Sequence, residues 1–135
     1  MAERGVATNK LFVAKALAMQ AGTGFDRPLY MALDKSAMTA LDATSTLLGS
    51  EATESGVARA ATTLTVQTTT VTGDTCRCYK SYAVNATVSI YGGGVFSVVT
   101  ANTANMLAFH EWAAVANVIA GDTINETIDL QEKAG

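Results

Sequence analysis

From Val57 onward the chain takes on a period of two. In "ARAATTLTVQTTTVTGDTCRCYKSYAV", Thr and Val come in near alternation. That period belongs to strands, whose successive side chains face opposite ways. With Gly73-Asp74 as punctuation, the stretch predicts a hairpin of two long strands with a threonine-lined solvent face. Two further strand pieces are expected on either side of the glycines in "NATVSIYGGGVFSVVT". One more follows in "NMLAFHEWAAV", and a last one in "GDTINETIDLQ". There Ile124, Ile128 and Leu130 share one phase with Glu126, which predicts a bend or a subunit-facing position at the acid.

Upstream the pattern differs. "TNKLFVAKALAMQAG" predicts a short helix, capped by Thr8 or Asn9 and ended before Gly22. Met1 to Ala7 reads as an N-terminal arm. "PLYMAL", Pro28 to Leu33, reads as a compact strand opened by the only proline. Asp34 to Gly56 fits neither period and is long for a loop in so small a domain. "LDATSTLLGSE" has room for one helical turn, tacked down by Leu47 and Leu48.

These elements predict a mainly β chain: an arm over 1–7, then one domain over 8–135. That domain is expected to be an antiparallel β-sandwich of seven or eight strands, with one short N-terminal helix and a long loop over 34–56. Leu64, Val66, Val88, Ile90, Val95, Val98, Leu107, Phe109, Ile124 and Ile128 are the residues expected between its two sheets. Arm and loop lack the periodicity to fold on their own core. Arg4 and Val6, with Leu41, Leu47 and Leu48, are therefore the candidates for contact with other subunits.

Composition narrows the classes. With 135 residues and 49% hydrophobic content, the chain can build one core without a metal or disulfide staple. Charged residues make up 16%, below the ~25% of an average soluble domain, so Thr, Ser, Asn and Ala must cover much of the surface. Such a surface suits a subunit that packs against others. The net charge is −3 and the Lys and Arg are scattered, which argues against a nucleic-acid partner. No segment approaches the ~20 apolar residues of a membrane span. "MAERGVATNK" lacks a secretory core, so folding in a cytoplasm is expected.

Little in the chain points to catalysis. A hydrolytic triad needs a nucleophile, a base and an orienting acid, and the chain has one histidine, His110. In a strand, His110 and Glu111 face opposite ways. Asp42/Glu51 and Asp122/Glu126 read as solvated acids. Asn85-Ala86-Thr87 and Asn125-Glu126-Thr127 match the glycosylation triplet by chance in a chain rich in Asn and Thr. Gly92-Gly93-Gly94 precedes "VFSVVT", which is neither helical nor basic, so the triplet is no phosphate cradle. It predicts a strand corner or bulge where backbone crosses backbone. Cys76 and Cys78 are spaced at the outer limit of disulfide geometry. Free thiols, an intersubunit disulfide and half of a metal site with His110 all stay open. No cofactor is expected, nor an enzyme.

Six stretches then follow in a familiar order: "TNKLFVAKAL", "LYMAL", "ALDATSTLLGSEATESGVARAATTLTVQTTTVTGDT", "GGGVFSV", "NMLAF" and "GDTINETIDL". From Thr8 to Leu130 the chain resembles a family of small structural virion proteins of tailed bacteriophages, often labelled tail-fibre-like. The best matches are Thr8-Asn9, Leu47-Gly49-Glu51, Gly94-Val95-Phe96, Met106-Leu107-Ala108 and Gly121-Asp122. Where family members often carry Gly-Thr-Gly, and an acid before Gly-Val-Phe, this chain has "ALDKSAM" and "IYGGG". The resemblance implies a virion part with a β-sandwich core and no active site. Its expected partners are the major capsid protein, or tail proteins, and copies of itself, with a trimer as the first expectation. A capsid decoration (cement) protein is the leading expectation and a tail, fibre or baseplate component the alternative, ahead of a free phage-encoded binding module.

Overall fold

Eight strands and one helix form among the described residues: β1 (Arg4–Ala7), α1 (Asn9–Ala21), β2 (Tyr30–Asp34), β3 (Ala60–Ala61), β4 (Thr63–Gln67), β5 (Thr75–Ala83), β6 (Val88–Phe96), β7 (Met106–Val118) and β8 (Thr123–Gln131). The computed structural model describes residues 3–21, 26–68 and 75–131. The expected turn at Gly73-Asp74 and the first two residues of the expected arm lie outside them.

The strands make two antiparallel sheets, one ordered β1-β7-β6-β2-β3 and the other β4-β5-β8. Met31, Leu33, Ile90, Val95 and Leu107 from the larger sheet meet Cys78, Tyr82, Ile124 and Ile128 from the smaller one in a single buried cluster. Leu11 and Ala14 of α1 join it. The β-sandwich expected from the period-two pattern is the fold.

Three expectations need correction. First, Arg4–Ala7 is no free arm: it pairs with β7 from Arg4↔Glu111 to Ala7↔Ala108. Thr8 stands just before the helix, but its hydroxyl donates to the carbonyls of Met106 and Leu107. A side chain expected to cap α1 instead ties the chain to β7.

Second, the segment between β2 and β3 folds onto its own domain and contains no helical turn. A second buried cluster, Ala32, Met38, Leu48, Phe96, Met106 and Phe109, lies beside the first. Met31 and Leu33 belong to one cluster and Ala32 to the other, so β2 is buried on both faces. The loop, through Met38 and Leu48, covers the outer face of the larger sheet. Phe109, expected between the sheets, is buried in this second cluster.

Third, the glycine triplet is not a corner. β6 runs unbroken from Val88 to Phe96, with a register shift beside Gly92 where Ile90 pairs with Ala116 and Gly92 with Glu111. A bulge is present, as expected; the strand does not turn. A Cβ on Gly92 would meet the His110 carbonyl and come 2.6 Å from Met38 Sδ. On Gly94 it would lie 3.0 Å from Met106 Sδ and 3.2 Å from Leu48. On Gly93, which faces the other way, it would lie 3.3 Å from the Glu126 carboxylate. The triplet is a side-chain-free floor that lets the loop settle on one face and an acid on the other.

The expected core is otherwise found, with two half-buried members, Leu64 and Val98, and one exception. Val66 is 74% exposed. It sits on β4, the outer strand of the smaller sheet, where alternation alone does not supply a covering layer.

Candidate functional site

Four of the buried polar residues are acids, Asp34, Glu51, Glu111 and Glu126, and each accepts a hydrogen bond from another part of the fold. Asp34, fully buried at the end of β2, accepts from the Ser36 amide at 3.0 Å, the Ser36 hydroxyl at 2.9 Å, the Gly49 amide at 3.1 Å and the Ser50 amide at 3.0 Å. It joins the two ends of the loop. Glu51, expected in solvent, is buried and takes two hydrogen bonds from Arg59, from Nε at 3.0 Å and Nη2 at 2.6 Å. Arg59 also donates to the Val98 carbonyl and lies over the Phe96 ring.

A second arginine repeats the arrangement at the other end. Arg4 Nε donates to Glu111 at 2.7 Å, and its Nη2 donates to the carbonyls of Met38 and Leu41 at 2.7 and 2.9 Å. Its guanidinium stands over Phe109. Arg59 and Glu51 are both buried, so removing either strands a charge in low dielectric; in the other pair only Glu111 is buried, the Arg4 side chain being 36% exposed. At the exposed tip of the loop, the Thr44 hydroxyl and amide hold the Asp42 carboxyl below its usual range.

The five residues expected to contact other subunits are thus largely engaged within the chain. Arg4 holds Leu41 by its carbonyl, Val6 and Leu41 pack beside the second cluster, and Leu48 is buried in it. Leu47 alone stands out, at 37% exposure. Cys76 and Cys78 sit on β5 with Cys78 fully buried and Cys76 packed against the core. An intersubunit bond at Cys78 is therefore excluded by burial. Burial and the neighbouring Cys76 push the Cys78 thiol far up, which makes it a poor nucleophile. Among the described residues no three His, Cys, Asp or Glu side chains are grouped so as to hold a metal ion.

One cluster opens to solvent. Between β1, β8 and α1 runs a groove of about 740 Å³, lined by Val6, Leu11, Phe12, Phe109 and Leu130 among apolar residues, and by Glu3, Lys15, His110 and Asp129 among charged ones. At its wall His110 Nδ1 lies 3.1 Å from Glu126 and Nε2 lies 3.4 Å from Glu3. Trp112 Nε1 donates to the other Glu126 oxygen at 2.7 Å, and the Thr127 amide donates to Glu126 at 2.9 Å. The hydrogen bond to Glu126 raises the His110 pKa above its ordinary value, burial opposes it, and Glu3 adds to the rise. Both ring nitrogens face carboxylates, leaving neither to activate a hydroxyl or thiol. The cluster can hold and release a proton.

His110 and Trp112 alternate with Glu111 on β7, so the expectation that His110 and Glu111 part to opposite faces is met. The bend or subunit-facing position expected at Glu126 is not found: the acid points into the sandwich, 2% exposed. Its signal was a lone acid in an apolar phase. The partner across the sheets carries no mark in the sequence.

No family model matches the chain, and neither do characterised proteins or solved structures. No helix among the described residues is long and apolar enough to cross a membrane.

Proposed function

We propose that the chain is a structural protein of a tailed-bacteriophage particle, acting as a capsid decoration protein on the outer head surface and bridging capsomers. One observation carries this reading. The four buried carboxylates, Asp34, Glu51, Glu111 and Glu126, all bond to groups that hold the scaffold together. Meanwhile large apolar side chains stand in the open: Phe12, Val13, Val66, Val99 and Ile119 are 52–74% exposed. A rigid scaffold with few surface charges and exposed apolar contacts suits packing against many identical neighbours better than turnover of a substrate. The resemblance along Thr8 to Leu130 points the same way and brings the major capsid protein and further copies of this chain as partners.

Quantitative mass spectrometry of purified particles tests the reading. A copy number comparable to that of the major capsid protein is expected. Far fewer copies would favour a tail or baseplate component instead. Absence from particles would leave a free binding module.

A further inference from the structure

Protons and acceptors do not balance around His110. Two carboxylates face its ring, Glu126 from β8 and Glu3 from the residue before β1. Only the imidazolium carries an N–H on both nitrogens; the neutral ring has one. The two carboxylates are unequal: the Glu126 side chain is 3% exposed and the Glu3 side chain 65%. A neutral His110 keeps its single proton on Nδ1 for the buried acid, because stranding Glu126 costs more than releasing a solvated one. Nε2 then turns a lone pair toward Glu3, and attraction becomes repulsion.

We propose that His110 is a proton-operated latch: protonated, it fastens the start of the N-terminal strand to the seam between the two sheets, and on losing the proton it frees that end and widens the groove. The other charged groups around it do not take over its role. Asp129 on β8 is paired with Arg77. Lys15 of α1 lines the same groove. Glu111 lies on the opposite face of β7 with Arg4, and Gly93 brings no side chain. Tyr82, beside Glu126, has its phenol pushed far up by burial and stays neutral. Arg4 and the β1–β7 ladder hold the rest of the strand, so the movement is confined to its first residues.

The sign follows from the direction of the shift. A histidine whose folded pKa is raised stabilises the closed form fully below its ordinary value of 6.5. That contribution is lost as pH rises through the raised value. Trp112 is the only tryptophan and shares Glu126, so its emission reports the event.

The test is hydrogen exchange at the Arg4 amide, the first that the β1–β7 register turns toward β7, across the His110 titration, corrected for intrinsic rates, with Trp112 fluorescence recorded on the same protein. In the unaltered chain, protection of this amide is expected to fall several-fold as pH rises, as fits one partly exposed ion pair, while β2 amides stay unchanged. Glu3→Gln, at an exposed position that leaves the fold intact, should give low, pH-independent protection at the Arg4 amide and lower the His110 pKa measured by NMR. Trp112 should still titrate in that variant, through Glu126. Protection at the Arg4 amide that ignores pH, or that changes identically in Glu3→Gln, overturns the latch. So does a Trp112 midpoint that differs from that of the amide.

Discussion

The guanidinium of Arg59 lies 3.7 Å from the centre of the Phe96 ring while Glu51 grips its edge with two hydrogen bonds. Arg59 and Glu51 have side chains 1% exposed, so neither charge has water to fall back on. The stack joins the end of the long loop to the end of β6. It converts a segment without periodicity into part of the core.

Arg59→Ala is therefore expected to cost about 3–5 kcal/mol, because it leaves Glu51 buried with little beyond the Asn102 amide. Urea unfolding measures this. Arg59→Met combined with Glu51→Gln should lose less than Arg59→Met alone, since no charge is then stranded. A loss below about 1 kcal/mol for Arg59→Ala would show that the loop is held by other contacts.

Glycines separate sharply. Gly92→Ala pushes a methyl into the His110 carbonyl, and backbone on both sides has no room to retreat, so little folded protein is expected. Gly5→Ala meets nothing closer than 4.0 Å and should stay within about 0.5 kcal/mol of the parent. Gly121→Ala has open space but sits at φ +99°, and should cost roughly 1–2 kcal/mol from backbone strain alone. Thermal denaturation of the three variants ranks them. Equal melting temperatures for Gly5→Ala and Gly92→Ala would contradict the close approach of β6 and β7.

Thiol labelling distinguishes the two cysteines. Cys76 is expected to react slowly in the native protein, and Cys78 only on unfolding, because burial disfavours its thiolate. Counting labelled sites by mass before and after denaturant checks this. Rapid native labelling of both would mean that β5 is not covered as described.

Core truncations test the strand phases. Ile90→Ala and Leu107→Ala, both at fully buried sites, should each cost about 2–5 kcal/mol. Val66→Ala, on an exposed edge, should change stability by no more than about 0.5 kcal/mol. Denaturant midpoints at constant slope give the comparison.

The strand phases were readable because one face of each strand is covered by a continuous layer, and period two records that directly. Ile124, Ile128 and Glu126 show it: all three point inward. Burial on both faces hides the same information. "YMALD" and "GGGVF" carry no alternation, since the loop closes over the side that solvent would otherwise mark as polar. The staples were hidden for another reason. Arg4 and Glu111 are separated by 107 residues, and Glu51 and Arg59 look like ordinary surface charges until the loop is folded. His110 and Glu126 each stood out in the sequence, but only the packing of one sheet on the other brings them together.

The pairing of β1 with β7 also has a consequence for synthesis. Val6 finds its ladder partner at Phe109, and Thr8 its anchors at Met106 and Leu107, so neither has its strand partner until most of the chain has left the ribosome. Contacts this distant close large loops and place folding on the slow side for a domain of this length. Through that interval the apolar helix α1, which also packs on β7, travels uncovered beside the nascent strand. Residues 4–21 are thus made well before the strand that protects them, and a chain halted before Met106 carries an unpaired β1 and an uncovered α1 for chaperones or neighbouring chains to shield.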